Sequence, residues 1–314
     1  MKKGFLFILI IILLLSIVSF LPVSQEKTIT ISATFENTIL QIIHLENWKN
    51  WYPGIEEAYK NDPKGYSVKS DTSGKIYTIN SSGKKYIIHA ITPMSYQVIE
   101  NDSNSEKVFA FTVFPGTLPH TMQVFLEKKN SLLLTLFDNN HSGEIALNGL
   151  KSYLEDPKSF YGFKIEMGKI RDSIIASSVF KIKRKEQFAK IHDGLLNLEK
   201  YLKANNLTKT GHRSISYVPL RGDSLQITIG LPVNKIAASA AGIECLSLPG
   251  SGKVLVGDYE GKFSDRQKIY RAMSKYMIDH TLSPPAEAFE RYLNDSIPSS
   301  DSSFIKMELN YPVY

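Results

Sequence analysis

The sequence predicts an α+β chain in three parts: an N-terminal transmembrane helix over residues 1–23, an antiparallel-sheet domain over 24–157, and a domain of two strand-helix-strand-strand repeats over 158–314. Three observations predict it. An unbroken apolar run extends from Gly4 to Val23. Between Thr28 and Glu155 one early helical patch is followed by a series of alternating, turn-bounded segments. After Phe163 a single pattern of strand, helix and two strands occurs twice.

The first run has about the length needed to cross a hydrocarbon core of roughly 30 Å. No Ala-x-Ala-like cleavage site follows it and no Cys stands near to receive a lipid, which favours an uncleaved signal anchor. Secretion after signal cleavage is the alternative. Lys2 and Lys3 precede the run, whereas Glu26, Lys27 and Glu36 nearly cancel after it. The positive-inside rule therefore places the N-terminus in the cytoplasm and both domains outside, in a periplasm or at the cell surface.

Cys245 is the single cysteine, so no intrachain disulfide can form and the fold must rest on core burial. The net charge of +6 is spread along the chain apart from Lys181, Lys183, Arg184 and Lys185, which read as a solvated strand end. Nucleic acid is not an expected partner. The seven His residues lack metal-ligand spacing, and the chain has no Gly-rich phosphate loop, His-Glu-x-x-His or Gly-x-Ser-x-Gly. No metal and no cofactor is expected.

In the first domain, Thr28 to Ala33 alternates polar and apolar residues as a half-buried strand does. A helix from Phe35 to about Asn47 leads to Trp48-Lys49-Asn50-Trp51-Tyr52-Pro53-Gly54, which ends in a Pro-Gly turn. Strands are expected at Lys75 to Ile79, Lys84 to Ile91, Ser95 to Glu100, Val108 to Val113, Met122 to Lys128 and Ser131 to Asp138. Asn80 to Gly83 and Lys128 to Asn130 read as hairpin turns, and Ile145 to Leu154 as a short helix.

That order, with its Trp-x-x-Trp-Tyr-Pro block, resembles the START-like, polyketide-cyclase (SRPBCC) helix-grip family from Thr28 to Glu155. The resemblance implies a curved sheet closed by a C-terminal helix around a hydrophobic cavity; here that helix is short. Trp48, Trp51 and Phe111, with Tyr86, Phe114 and Phe125, are the candidate lining. The competing reading is that these rings simply fill the core.

A linker from Glu155 to Gly162 leads to the repeats. The first has a strand from Lys164 to Arg184, a helix from Glu186 to Asn205 with Phe188, Ile191, Leu195, Leu198 and Leu202 on one face, and strands Ser214 to Pro219 and Ser224 to Leu231. The second has a strand from Lys253 to Tyr259, a helix from Ser264 to about His280 buried through Ile269, Met273, Tyr276 and Met277, and strands Phe289 to Asn294 and Phe304 to Tyr311. The endings Gly230-Leu231-Pro232-Val233 and Asn310-Tyr311-Pro312-Val313 occupy equivalent places.

This repeat resembles the gyrase-inhibitor-like (GyrI-like) effector-binding family over Phe163 to Tyr314. Leu248-Pro249-Gly250 with Lys253 to Tyr259 and Gly261 is similar to its "LPxG … hxG" strand and turn. Phe289 to Asn294 is similar to its "(F/W)ExYLxx" strand, and Met307 to Val313 to its "TEIYIPV" strand, with Asn310 where a Tyr is common. The resemblance implies a cleft between the repeats in which Glu290, and as a second candidate Glu308, meets a hydrophobic and often cationic molecule.

The residues themselves support an acidic pocket as follows. Glu290 and Tyr292 stand two apart on a strand and so share a face; Glu308 lies on the last strand. If both strands face one concavity, two carboxylates meet there, whereas the plainer reading leaves both acids in solvent. Tyr259 and Phe263 would form a rim, and Asn310 removes a ring from the wall. The function expected is a membrane-anchored, extracytoplasmic binder or sensor of a hydrophobic or amphipathic small molecule, with the membrane contacted through residues 4–23. Signalling inward would need an unidentified membrane partner, since only Met1 to Lys3 remain inside. The alternative is a cofactor-free hydrolase of strained electrophiles in which Glu290 and Tyr292 position water.

Overall fold

The computed structural model describes residues 22–81, 83–102, 105–131, 141–171, 174–240, 242–248, 252–294 and 297–314. The expected membrane span lies outside them except for Pro22 and Val23, which are strand residues and not the end of a helix. The strand expected at Ser131 to Asp138 is likewise outside them beyond Ser131. Among the described residues no helix is long and apolar enough to cross a membrane. The chain divides into two compact units between Asp156 and Pro157.

Unit 1 contains β1 (Pro22–Ile31), α1 (Phe35–Ile43), α2 (Trp48–Trp51), α3 (Pro53–Asn61), β2 (Ser67–Ser70), β3 (Ile76–Ser81), β4 (Lys84–Thr92), β5 (Ser95–Asp102), β6 (Ser105–Pro115), β7 (Met122–Ser131) and α4 (Ser142–Glu155). The strands form one antiparallel sheet in the order β1-β7-β6-β5-β4-β3-β2. Thr34 starts α1 by accepting from the Asn37 amide at 3.2 Å. Pro53 does not make a turn but opens α3, where its missing N–H costs nothing. Lys128 to Asn130 also depart from the expected turn: they pair with Gln25, Ser24 and Val23, because β1 runs the full length of β7. Gly149 of α4 lies so close to the Trp51 carbonyl that a Cβ there would approach it to 2.3 Å, which fixes the helix tightly against the aromatic block.

Unit 2 contains α5 (Pro157–Tyr161), within the stretch expected as linker, then β8 (Ile165–Lys169), β9 (Ile174–Lys183), α6 (Gln187–Ala204), β10 (Ser214–Pro219), β11 (Ser224–Pro232), β12 (Ile243–Ser247), β13 (Lys253–Lys262), α7 (Gln267–Asp279), β14 (Phe289–Tyr292) and β15 (Phe304–Pro312). Its sheet has the order β12-β9-β11-β10-β14-β15-β13-β8, a palindrome about the β10/β14 seam. The expected single strand from Lys164 to Arg184 is two strands: β8 pairs with β13, and β9 with β11 and β12. Each repeat thus lends its leading strand to the edge of the other half.

The two long helices bury Ile191, Leu195, Leu198 and Leu202, and Ile269, Met273 and Met277, on one face of this sheet. Each such side chain removed from water contributes about 1.5–3 kcal/mol. Both helices end alike. Asn206 and Thr281 adopt positive φ, and the following leucine amides return to the last turn, Leu207 to the Leu202 carbonyl at 2.9 Å and Leu282 to the Met277 carbonyl at 2.8 Å.

Candidate functional site

The strand pairing decides which side chains meet. Across the seam Glu290 opposes Ile215, and on its other side Glu290 opposes Leu309 while Tyr292 opposes Met307. Alternation then sends Glu290 and Tyr292 to the helix-covered face. Arg266, at the end of a short 3-10 turn (Phe263–Arg266), and Tyr270, one turn into α7, reach the same point.

Glu290 is fully buried and hydrogen-bonded on both oxygens. Arg266 Nε donates to its Oε1 at 2.8 Å and Tyr270 Oη to the same atom at 2.9 Å. Tyr292 Oη donates to Oε2 at 2.5 Å. The Tyr217 and Tyr292 hydroxyls lie 3.4 Å apart. The Arg266 guanidinium also donates through Nη1 to the Phe263 carbonyl at 3.1 Å and lies over the Phe263 and Tyr217 rings, 3.5 and 4.9 Å from their centroids.

Burial, then the Glu290 charge, pushes the Tyr292, Tyr270 and Tyr217 phenols well above the ordinary tyrosine range. Burial works most strongly against the charge on Arg266, but the Glu290 carboxylate together with the Tyr217 and Tyr292 phenols outweighs it and holds the guanidinium protonated. The cluster is therefore a carboxylate saturated by a guanidinium and two neutral phenols.

Above it opens a pocket of about 480 Å³ whose walls include Tyr217, Arg266, Tyr270, Glu287 and Tyr311. Glu290 is not in the wall; it stands behind Arg266 and Tyr270 and positions them. A visiting cation would find the Glu290 carboxylate already matched, so this pocket offers stacking surface, the outward side of the guanidinium and the Glu287 carboxylate in its wall.

Several expected site residues lie elsewhere. Glu308 opposes Arg291 and Asn310 opposes Phe289, so both project from the other face of the sheet. The two carboxylates do not meet; Glu308 is paired with Arg291. The cause is register: Glu290 falls opposite odd-numbered Leu309, which turns both even-numbered residues away. Phe263 is fully buried against Phe188 and Tyr217, and Tyr259 is buried with its hydroxyl donating to the Lys262 carbonyl at 2.6 Å, so neither forms a rim.

In unit 1, Trp48, Trp51 and Phe111 are core. They are at most 2% exposed, the Trp48 ring contacts both Trp51 and Phe111, and the two indole N–H groups donate to the Ile42 and Gln41 carbonyls. A pocket of about 420 Å³ in that unit is lined by other residues, among them Lys27, Phe109, Leu126 and Gly143. Arg266, Tyr270 and Tyr217 were absent from the sequence expectation. Arg266 and Tyr270 do stand four apart at a helix start, but nothing local to that helix shows that a buried carboxylate faces it. Among the described residues no group of three His, Cys, Asp or Glu is placed to hold a metal ion.

No family model matches the chain, and no curated protein matches it. Among solved structures it is similar to EcmrR in a complex with DNA, at 16% identity over 57% of this chain and 74% of that one, with a TM-score of 0.42. It is also similar to a hydrolase from Listeria innocua, at 12% identity over 48% and 92% with a TM-score of 0.35. A START superfamily protein from Mycobacterium smegmatis is similar at 12% identity over 42% and 97%, with a TM-score of 0.29. With TM-scores below 0.5, these likenesses carry no conclusion about activity or partners.

Proposed function

We propose that unit 2 binds a flat, largely hydrophobic small molecule in the pocket walled by Tyr217, Arg266, Tyr270 and Tyr311. One observation carries the reading: a fully buried carboxylate holds a guanidinium and a phenol in place directly beneath an aromatic-walled cavity. Such a pocket has the size and mixed lining of a ligand site. The ligand needs no positive charge, since Arg266 supplies the counter-ion of Glu290. In this reading the apolar run beginning at Gly4 holds the chain in a membrane with both units outside. Protease protection of the full chain in sealed vesicles tests that placement independently.

Thermal stability of the full chain against cationic, neutral and anionic aromatic compounds tests the binding. A ligand present at a hundred times its dissociation constant should stabilise unit 2 by about 2.7 kcal/mol, and Tyr270→Ala should abolish the gain. Silence across all three classes would sink the proposal.

A hydrolytic reading has one observation in its favour, the 2.5 Å contact between Tyr292 and Glu290. Both residues are fully buried, however, and Glu290 is already engaged by Arg266. Turnover of an epoxide or activated ester that disappears in Glu290→Gln would revive it.

A further inference from the structure

The face of the unit 2 sheet opposite the helices carries a second cavity, chemically different from the pocket over Arg266. Arg291 projects from that face beside the seam, opposite Ser214. It is 8% exposed, and its Nη2 donates to Glu308. Its Nε, also buried, has no hydrogen-bond partner. A buried guanidinium N–H left without an acceptor is costly, and charge-assisted bonds are the strong ones.

Arg291 lines a small, partly open cavity of about 50 Å³, together with Ser214, Phe289 and Asn310 on the sheet and residues 169–171 at the end of β8 and after it. The charged lining is Arg291, paired with Glu308, and Arg171, against a single carboxylate, Glu166, which is itself paired with Lys164 at 3.0 Å; Lys169 stands on the other face of β8. At that volume the space takes up a group of about three or four heavy atoms and cannot take in a ring as well.

We infer that this cavity binds a small monoanion of carboxylate size, with an oxygen accepting from Arg291 Nε. Positive charge favours the anion over water, the orphan donor orients it, and the apolar floor supplied by Val254 and Phe289 limits its size. This site shares no residue with the pocket over Arg266 and stands or falls separately from it.

The test uses the full chain titrated with formate, acetate and benzoate at constant ionic strength, read by thermal stability. A crystal soaked in bromide adds a positional readout. Formate and acetate should raise the melting temperature saturably while benzoate does not, and bromide should lie within about 3.5 Å of Arg291 Nε. Ser214→Val, which narrows the cavity and leaves the Arg291–Glu308 pair intact, should raise the half-saturating acetate concentration at least tenfold. Arg291→Lys, which keeps the charge opposite Glu308 but removes the Nε–H, should do the same. An equal acetate response in wild type and Ser214→Val, or no bromide at Arg291, would overturn the assignment.

Discussion

The two repeats of unit 2 share a backbone and differ where the chemistry lies. Across the seam Ile215 and Glu290 oppose each other and are exchanged by the sheet's palindromic symmetry. Aligning the starts of α6 and α7 puts Glu186 where the second repeat has Arg266, and Lys190 where it has Tyr270. Glu186 and Lys190 are exposed, whereas Arg266 and Glu290 are buried. The first repeat shows that an isoleucine satisfies this position in the fold. The second places there an ion pair that packing does not require, and a buried ion pair is weak evidence for stability. Function is the better explanation for its presence.

Breaking the pair from one side should give the largest effect. Glu290→Ala leaves Arg266 buried without its counter-ion and should destabilise unit 2 by about 3–5 kcal/mol. Hydrogen exchange resolved by segment is the appropriate measurement, because both tryptophans lie in unit 1 and their fluorescence reports on that unit. A loss below about 1 kcal/mol would mean that Arg266 finds another partner, and the comparison between repeats would lose its energetic basis.

Making the second repeat resemble the first should do the opposite. In Glu290→Ile combined with Arg266→Met, both charges give way to apolar volume, and unit 2 should be as stable as wild type or more stable by about 1–4 kcal/mol. Tyr270 and Tyr292 lose their acceptor but keep their rings. Ligand binding in the pocket over Arg266 should disappear in the same variant. Retained binding would show that the aromatic walls suffice and that the pair has no role in recognition.

The comparison also shows what sequence can and cannot disclose here. The strand Ser214–Pro219, the buried faces of both helices and the common face of Glu290 and Tyr292 are all periodicity, which is local. Glu308 was misplaced because one residue of register moves a side chain through the sheet, and register is set between strands. The crossing of β8 and β12 to opposite edges was hidden for the same reason: each reads as an ordinary strand, and only the partner differs. Lys128 to Asn130 have turn-like composition, yet the long β1 ladder holds them extended. Trp48 and Trp51 suit a cavity or a core equally by type, and only their packing against Phe111 and α4 decides for the core.

Charge preference offers a smaller effect that sharpens the comparison further. In wild type a cationic aromatic ligand meets Arg266 in front of Glu290, and the accessible carboxylate is Glu287 in the wall. Arg266→Gln removes that repulsion and exposes Glu290 to the pocket, so cationic compounds should bind about tenfold tighter relative to neutral ones, a difference of about 1.4 kcal/mol. Isothermal titration with a matched cationic and neutral pair checks it. An unchanged ratio would place the ligand out of reach of the pair.

The smallest effect is a slope. Tyr292 keeps its proton far above the ordinary range in the folded chain, because it is buried and donates to Glu290. The unfolded phenol ionises near pH 10. The stabilisation tied to this proton is thus fully present below about pH 10 and is lost progressively as pH rises toward the folded value. Each such phenol adds about 1.4 kcal/mol per pH unit to that decline. Tyr270 and Tyr217 carry the same sign, so unit 2 should lose stability steeply above pH 10, and Tyr292→Phe should make the limb shallower by one proton. The residue equivalent to Tyr292 in the first repeat is Tyr217, whose hydroxyl lies 3.4 Å from that of Tyr292, so the seam brings one phenol from each repeat to the same limb. A slope that Tyr292→Phe leaves unchanged would mean that the phenol ionises before unit 2 unfolds, which is incompatible with a hydroxyl held against a buried carboxylate.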